Sequence, residues 1–365
     1  FNTHRAIVCL SALTGNFDRV GGNVPNPASY IHKPAGFPTR EHQFRSECYP
    51  KDAPERIGAE KFPLWNALYD EFQAVDLIRQ LEEGTPYPLK GMVAFGLNAK
   101  MLPQSERLLK AMADNLDFYV DTDIFMTMSA KYADLVLPAC SSLERGEMKA
   151  YQGGFLTFTQ PVIEPLYDSK SDTDIMYGMI KALKLDDELL QQGYEACCDW
   201  IIDGCGLTVA DLKKSDLPVK VPTAKWPVQA GKVLANGFNT PSGKFEFYSN
   251  AIARIVPGLD PLPSYSDPLS DENDPETKAK YPFYLCTGAR RPHALHSRTH
   301  EVPWLRSLQP DPTVEVHNED AKRLGLKDGD WVAMSSPYGE IRMRVKVTAL
   351  AKPGVLLAIH GYTEA

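Results

Sequence analysis

Residues 91–98 read Gly91-Met-Val-Ala-Phe-Gly-Leu-Asn98. The first five form a short apolar run, which is typical of a strand buried in a parallel sheet. The chain then predicts a helix over Ser105–Asn115, a strand over 118–121, a second helix over 125–133 and a third strand over 135–137. Strands and helices that alternate at this spacing indicate an α/β fold, in which a parallel sheet is joined by crossover helices.

Polar residues follow the first two of these strands. Gly96 and Asn98 come after the first, and Asp121 and Asp123 come at the end of the second. Taken singly, a glycine there makes a turn and an Asn or Asp caps a helix. Ligands of parallel sheets nevertheless bind beyond the carboxyl ends of the strands, where a carboxylate can accept hydrogen bonds from a ribose or a guanine. The four residues together therefore suggest a nucleotide site, although the chain has no G-x-G-x-x-G fingerprint.

The segment before this sheet is irregular and then helical. Residues 14–63 are rich in Gly, Pro, Asn and His, a composition that predicts loops. From Trp65 onward, helical spacing of apolar residues predicts one helix that stops at Gly84. Its apolar positions are Leu68, Phe72, Val75, Ile78 and Leu81.

The second half of the chain predicts a connector followed by β-structure. Residues 184–280 lack clean periodicity and contain many prolines, which favours a connector that wraps the surface. Strands are predicted at 283–286, 314–316, 331–334 and 341–348, the last with Ile341, Met343, Val345 and Val347 on one buried face. A helix capped by Asn318 should stop at Gly325. Short strands with inserted helical turns suggest a small closed barrel.

A basic loop lies between the first two of these strands. Residues 287–306 carry four arginines and three histidines, namely Arg290, Arg291, Arg298, Arg306, His293, His296 and His300. Three interpretations compete. A zinc site would have to tolerate four cationic neighbours, and a charge run is ordinarily a solvated surface. The third is an anion clamp, in which Arg forks, His donors and hydroxyls hold a pyrophosphate.

Composition narrows the class of protein. The chain has 365 residues, enough for about two domains. Its net charge of −8, from 39 basic and 47 acidic residues, argues against a nucleic-acid or anionic-membrane surface. No apolar run approaches the roughly 18 residues of a membrane span. Seven cysteines without a Cys-x-x-Cys pair predict reduced, mostly buried thiols, with no visible zinc ribbon or iron–sulfur ligand set.

Several motifs, in order along nearly the whole chain, resemble the molybdopterin oxidoreductases of the dimethyl sulfoxide reductase family. The most specific is the stretch from Phe118-Tyr-Val-Asp-Thr-Asp123 to Leu135-Val-Leu-Pro138, followed by Glu144. The others are Thr14-Gly-Asn16 with Gly21-Gly22, Thr240-Pro-Ser-Gly-Lys244, Thr287-Gly-Ala-Arg290 running to His296-Ser297, Asp320–Val332 and Pro353-Gly-Val355. The chain therefore resembles the C-terminal part of a catalytic subunit that binds molybdopterin guanine dinucleotide.

The resemblance implies a domain plan and a set of cofactor contacts. Residues 1–190 would belong to an αβα dinucleotide-binding domain, 191–280 to a connector, and 281–365 to a double-psi β-barrel. The guanine nucleotide would contact Gly96, Asn98, Asp121 and Asp123, and Thr127 would also bind the cofactor. The pyranopterin and phosphates would contact Thr287, Gly288, Arg290, His296, Ser297 and Arg298.

The resemblance also implies chemistry outside these residues. Molybdenum or tungsten would be held by two dithiolenes, and its protein ligand and an iron–sulfur cluster would lie upstream, with an iron–sulfur electron-transfer subunit as a further partner. Cys140 follows Leu-Pro-Ala and is expected to pack rather than to ligate metal. Catalytic residues are not identified. Two other functions stay open at this point, a non-catalytic dinucleotide-binding module and an ordinary NAD-dependent two-domain enzyme, which would show nicotinamide binding.

Overall fold

A computed structural model describes residues 1–24, 52–69, 71–151, 154–222, 230–238, 240–265, 274–289, 293, 297 and 299–362. The chain folds into two compact units. Unit 1 contains Phe1–Pro88, Thr122–Ile124 and Val136–Tyr265, and unit 2 contains Leu89–Asp121, Phe125–Leu135 and Ser266–Ala365. The predicted domain boundaries at residues 190 and 280 stay a prediction.

The helices and strands are numbered in chain order. The helices are α1 Asn2–Leu13, α2 Pro63–Tyr69, α3 Leu77–Glu83, α4 Ser105–Asn115, α5 Asp172–Ala182, α6 Glu188–Gln192, α7 Tyr194–Ile202, α8 Val209–Lys213, α9 Lys232–Asn236, α10 Asn250–Ile255, α11 Pro275–Lys280, α12 Pro303–Arg306 and α13 Asn318–Leu324. The strands are β1 Gly91–Phe95, β2 Phe118–Asp123, β3 Leu135–Pro138, β4 Glu147–Tyr151, β5 Phe155–Thr159, β6 Val219–Lys220, β7 Tyr284–Ala289, β8 Thr313–His317, β9 Trp331–Ser336, β10 Gly339–Thr348 and β11 Val355–Ile359.

The parallel sheet predicted for the first half is confirmed, with strand order β1-β2-β3. Helix α4 has the predicted bounds and buries Leu108, Leu109 and Met112 on one face. Strand β2 runs two residues beyond its predicted end. Asp121 therefore lies inside the strand, and Asp123 is its last residue.

The helix predicted from Trp65 to Gly84 is interrupted. Helix α2 ends at Tyr69, and a 3₁₀ turn over Ala74–Asp76 precedes α3. Asp76, which is 1% exposed, receives hydrogen bonds from Arg79 at 2.6–3.2 Å. The stop at Gly84 is confirmed, because that residue adopts the left-handed conformation with φ 67°.

The helix predicted over 125–133 is wrong. These residues form turns, with a single 3₁₀ turn over Ala130–Tyr132. The physical reason is local, because Thr127 Oγ1 accepts from the backbone N–H of Ala130 at 3.2 Å. Such Ser and Thr bonds compete with the helical backbone pattern.

A packed core occupies part of the stretch predicted to be a surface connector. The antiparallel sheet β4-β5-β6 packs with α7 and α8 around Leu156, Ile202 and Leu212, each 0% exposed. The expectation of a connector that wraps the surface is therefore wrong for residues 194–221. Short helices of five to nine residues give too little periodicity to be recognised without the sheet that covers them.

The five-stranded sheet of unit 2 has the order β7-β11-β8-β10-β9. It is mixed, since β10 pairs parallel to β8 and antiparallel to β9. The predicted alternation holds at Met343 and Val345, which are 1% and 2% exposed, whereas Ile341 is 37% exposed. The sheet is a curled half-barrel, and its closure into a double-psi barrel stays a prediction.

Helix α13 lies between strands β8 and β9 of this sheet in the chain. His317, one residue before the predicted cap Asn318, accepts the backbone N–H of Glu319 at 3.2 Å, and Gly325 ends the helix at φ 70° as predicted. The carboxylate of Asp320 accepts from Arg323 at 2.8 Å and from the backbone N–H of Gly354 at 2.7 Å. The hydrogen bond from Arg323, followed by that from Gly354, lowers the pKa of Asp320.

Candidate functional site

The loop after β1 exposes its backbone. Gly96 follows the strand directly, is exposed and adopts φ 63°, a conformation that L side chains rarely take. A Cβ added there would meet nothing within 4 Å, so the space in front of this glycine is open. The backbone of the β1 edge can therefore be approached closely by a ligand.

Asn98 lies two residues further along the same loop. The residue is half-buried, and its side-chain oxygen Oδ1 is buried. Among the residues that the structure describes, no donor is within hydrogen-bonding distance of this oxygen. A buried amide oxygen without a donor is costly, which makes it a natural acceptor for an N–H group of a bound ligand.

A serine that the sequence analysis missed holds this loop in place. Ser129 Oγ accepts the backbone N–H of Ala99 at 2.5 Å, and both residues are 0% exposed. The bond joins the loop after β1 to the turn after β2 across 30 residues of sequence. No local sequence pattern predicts such a contact. The helix that was wrongly predicted over 125–133 also gave no reason to expect it.

The two carboxylates of β2 occupy alternate positions of the strand, which places them on the same face. Asp121 is 0% exposed, and Asp123 is half-buried. Thr127, which the resemblance assigns to the cofactor, is half-buried, and its hydroxyl accepts the backbone N–H of Ala130. Its hydroxyl therefore already has a structural hydrogen bond.

The basic loop is described only in part. Thr287 and Gly288 are among the last residues of β7, and the side chain of Thr287 is exposed. Ser297 is half-buried, and its carbonyl accepts the backbone N–H of His300 at 3.1 Å. The predicted contacts Arg290, His296 and Arg298 lie outside the described residues, as does Arg291. The described residues contain no cluster of three or more metal-ligating side chains.

The environments of Cys140 and Glu144 indicate structural roles for both side chains. The thiol of Cys140 is 1% exposed, and burial raises its pKa, which disfavours the thiolate that a metal would need. The carboxylate of Glu144 accepts the backbone N–H groups of Ser141 and Leu166, each at 2.7 Å. Hydrogen bonding to Ser141 and then Leu166 lowers the pKa of Glu144.

The cysteines of the described residues are free thiols. Cys9, Cys140, Cys197, Cys198 and Cys205 are buried, and Cys286 is exposed. None of the helices in the described ranges combines the length and hydrophobicity needed to cross a membrane.

Comparison with known proteins identifies two domains by their family models. The molybdopterin oxidoreductase model matches residues 2–182, and the molydopterin dinucleotide binding domain model matches residues 283–365. The chain belongs to the molybdopterin oxidoreductase family.

Two relatives and one solved structure illustrate the similarity. The acetylene hydratase of Syntrophotalea acetylenica is 30% identical over 281 residues, which are 76% of this chain and 37% of that protein. The thiosulfate reductase molybdopterin-containing subunit of Salmonella typhimurium is 27% identical over an alignment of 390 positions that covers 98% of this chain and 49% of that subunit. The solved structure of acetylene hydratase from Pelobacter acetylenicus matches 81% of this chain and 40% of its own, with a TM-score of 0.68 and 28% identity. The chain thus spans less than half the length of these relatives.

Proposed function

We propose that this chain binds molybdopterin guanine dinucleotide within the catalytic subunit of a molybdenum or tungsten oxidoreductase. The observation that carries the proposal is the buried amide oxygen of Asn98, which meets no donor among the described residues and lies beside the open backbone of Gly96. Membership of the molybdopterin oxidoreductase family supports it. An NAD-dependent enzyme is disfavoured because the glycine fingerprint is missing.

The β1 and β2 edge would bind a guanine nucleotide. A guanine presents N1–H and N2–H donors side by side, which call for oxygen acceptors. Asn98 supplies an amide oxygen, and Asp121 and Asp123 supply carboxylates on one face of β2. Gly96 lets the backbone approach the nucleotide without a side chain in the way.

The basic loop would bind the anionic parts of the cofactor. A pyrophosphate requires charge-assisted donors, and Arg290, Arg298 and His296 carry them in a chain whose net charge is −8. Thr287, Gly288 and Ser297 would add hydroxyl and backbone donors. Each charge-assisted bond contributes about 1.5–3 kcal/mol, so that the loss of one arginine should weaken cofactor retention about ten- to a hundredfold.

The activity is proposed for the whole subunit. When bound, the metal cofactor supplies electron transfer or the transfer of an oxygen, sulfur or hydroxyl group on a small substrate. The described residues position the cofactor and stabilise its charge. An iron–sulfur cluster in the rest of the subunit, and an iron–sulfur partner subunit, would pass electrons to it.

The test uses the full-length protein and measures bound molybdenum and guanine nucleotide. We expect Asn98→Leu, and Asp121→Asn combined with Asp123→Asn, to lower both contents together. Asp117→Asn is the matched control, since Asp117 is an exposed carboxylate one residue before β2. Unchanged metal and nucleotide contents in the first two variants would contradict the proposed guanine site.

The loop is tested separately with Arg290→Ala and Arg298→Ala. Arg342→Ala is the control, because Arg342 is an exposed arginine on β10 of the same unit. Full cofactor occupancy in both loop variants would leave the solvated-loop interpretation in place.

A further inference from the structure

Arg306 is the last residue of both α12 and the basic loop, and its side chain contacts other residues of unit 2. Its Nε donates to the carbonyl of Pro310 at 2.9 Å, and its Nη1 lies 2.8 Å from Nδ1 of His300. Its Cζ stands 4.8 Å from the centroid of the Tyr362 ring. One guanidinium therefore contacts two residues of its own segment, His300 and Pro310, and one that is distant in sequence, Tyr362.

The contact defines the tautomer of His300. A guanidinium has only donors, so Nδ1 of His300 is the acceptor in this contact. That nitrogen therefore carries no proton. His300 is 8% exposed and packs edge-on against the ring of Tyr362, with centroids 4.2 Å apart. The hydroxyl of Tyr362 in turn donates to the carbonyl of Gln309 at 2.7 Å.

A second connection holds the loop from the other side. Nε2 of His293 lies 3.3 Å from Oε1 of Gln309, whose amide nitrogen donates to Thr313 at 3.0 Å. The hydroxyl of Thr299 donates to the carbonyl of His293 at 2.9 Å. Among the described residues of the loop, His293, Thr299 and His300 are thus tied to the segment that leads into β8.

We propose that Arg306 is a positioning residue for the basic loop, which acts through His300 and does not itself bind the cofactor. The inference rests on the proposed function, because it assigns a role toward the cofactor that this loop would hold. An arginine is required by the geometry, since only a planar fork can donate to His300 and Pro310 while it lies over the Tyr362 ring. A lysine can reach one of these partners but cannot satisfy all three.

Replacement of Arg306 should therefore affect cofactor retention and overall stability to different extents. Arg306 is half-exposed, so its replacement leaves the core of unit 2 intact. The loop it holds would be released from its place, and the charge-assisted bonds made by the loop would weaken. The effect of Arg306 on the cofactor should therefore be larger than its effect on the thermal unfolding of the protein.

The experiment measures the rate at which molybdenum and guanine nucleotide leave the full-length protein on gel filtration, together with its melting temperature. We expect Arg306→Ala to lose both about ten times faster than the wild type, the loss that one charge-assisted bond would give. Arg306→Lys keeps the charge and the aliphatic stem, so its rate of cofactor loss should lie between those of the wild type and Arg306→Ala. It replaces the alanine variant in the experiment if that variant does not accumulate. Guanidinium at millimolar concentration should restore retention in Arg306→Ala, whereas methylammonium should not.

Arg344→Ala is the matched control. Arg344 also lies over an aromatic ring, that of Trp331 at 4.8 Å, and bonds Asp311 and the carbonyl of Gly329, but it belongs to the sheet and not to the loop. The inference would be overturned if Arg306→Ala retained the cofactor as well as the wild type does. It would also be overturned if both alanine variants lost the cofactor equally and had equal melting temperatures. Either result would leave the proposed function standing. A wild-type protein without molybdenum and guanine nucleotide would contradict the proposed function, and this inference with it.

Discussion

Removing one hydroxyl should loosen the loop that carries Asn98. Ser129→Ala deletes the acceptor of the Ala99 backbone N–H, a 2.5 Å bond between two fully buried residues. Both residues are fully buried, so the N–H is left without its acceptor. Such a group costs about 1–3 kcal/mol, which corresponds to a roughly five- to 150-fold shift in the local opening equilibrium, since 1.4 kcal/mol is a factor of ten.

Hydrogen–deuterium exchange at the Ala99 amide measures this directly, because the exchange rate follows the local opening equilibrium. We expect exchange to accelerate by roughly five- to 150-fold in Ser129→Ala, with little change in the core of the other unit. Ser335→Ala is the control, since Ser335 is an exposed serine on β9 of the same unit. Equal protection of Ala99 in the wild type and in Ser129→Ala would refute the reasoning.

Three further predictions concern stability and thiol chemistry. Leu156→Ala should lower the free energy of unfolding by about 2–5 kcal/mol in urea denaturation, because a side chain 0% exposed leaves a cavity; a loss under 1 kcal/mol would contradict a packed core there. The hydrogen bonds that lower the pKa of Asp320 stabilise the fold above about pH 4, and that stability is lost as pH falls through its lowered folded pKa. Asp320→Asn should therefore show a shallower acid dependence of unfolding, and parallel curves for both proteins would exclude this role. Burial raises the pKa of Cys198 to about 11, so a thiol reagent at pH 8 should label exposed Cys286 in the native state and Cys198 only after unfolding.

Several elements could be predicted because their signals are local. Helix α4 has its apolar residues at helical spacing, and β10 alternates apolar and charged residues at Met343 and Val345. Gly84 and Gly325 end helices in the left-handed conformation, which only the absence of a Cβ makes cheap. The family was recognisable for a related reason, since its motifs keep their order along the chain.

Other features depend on side-chain contacts that periodicity does not reveal. The break before Ala74 places Asp76 against Arg79, and the turn at 125–133 owes its shape to side-chain bonds that replace a helix. The core around Leu156 is assembled from short helices that have no periodicity of their own.

Some features of the candidate site likewise follow from the sequence, and others only from the tertiary structure. The sequence by itself determined which residue types stand after β1 and β2, and that Gly96, Asn98 and the aspartates are suited to a nucleotide. Only the tertiary structure decided that Oδ1 of Asn98 is buried, that Ser129 holds the loop, and that Arg306 is turned toward His300. The physical reason is that burial and long-range hydrogen bonds belong to pairs of segments, whereas propensity and periodicity belong to one segment alone.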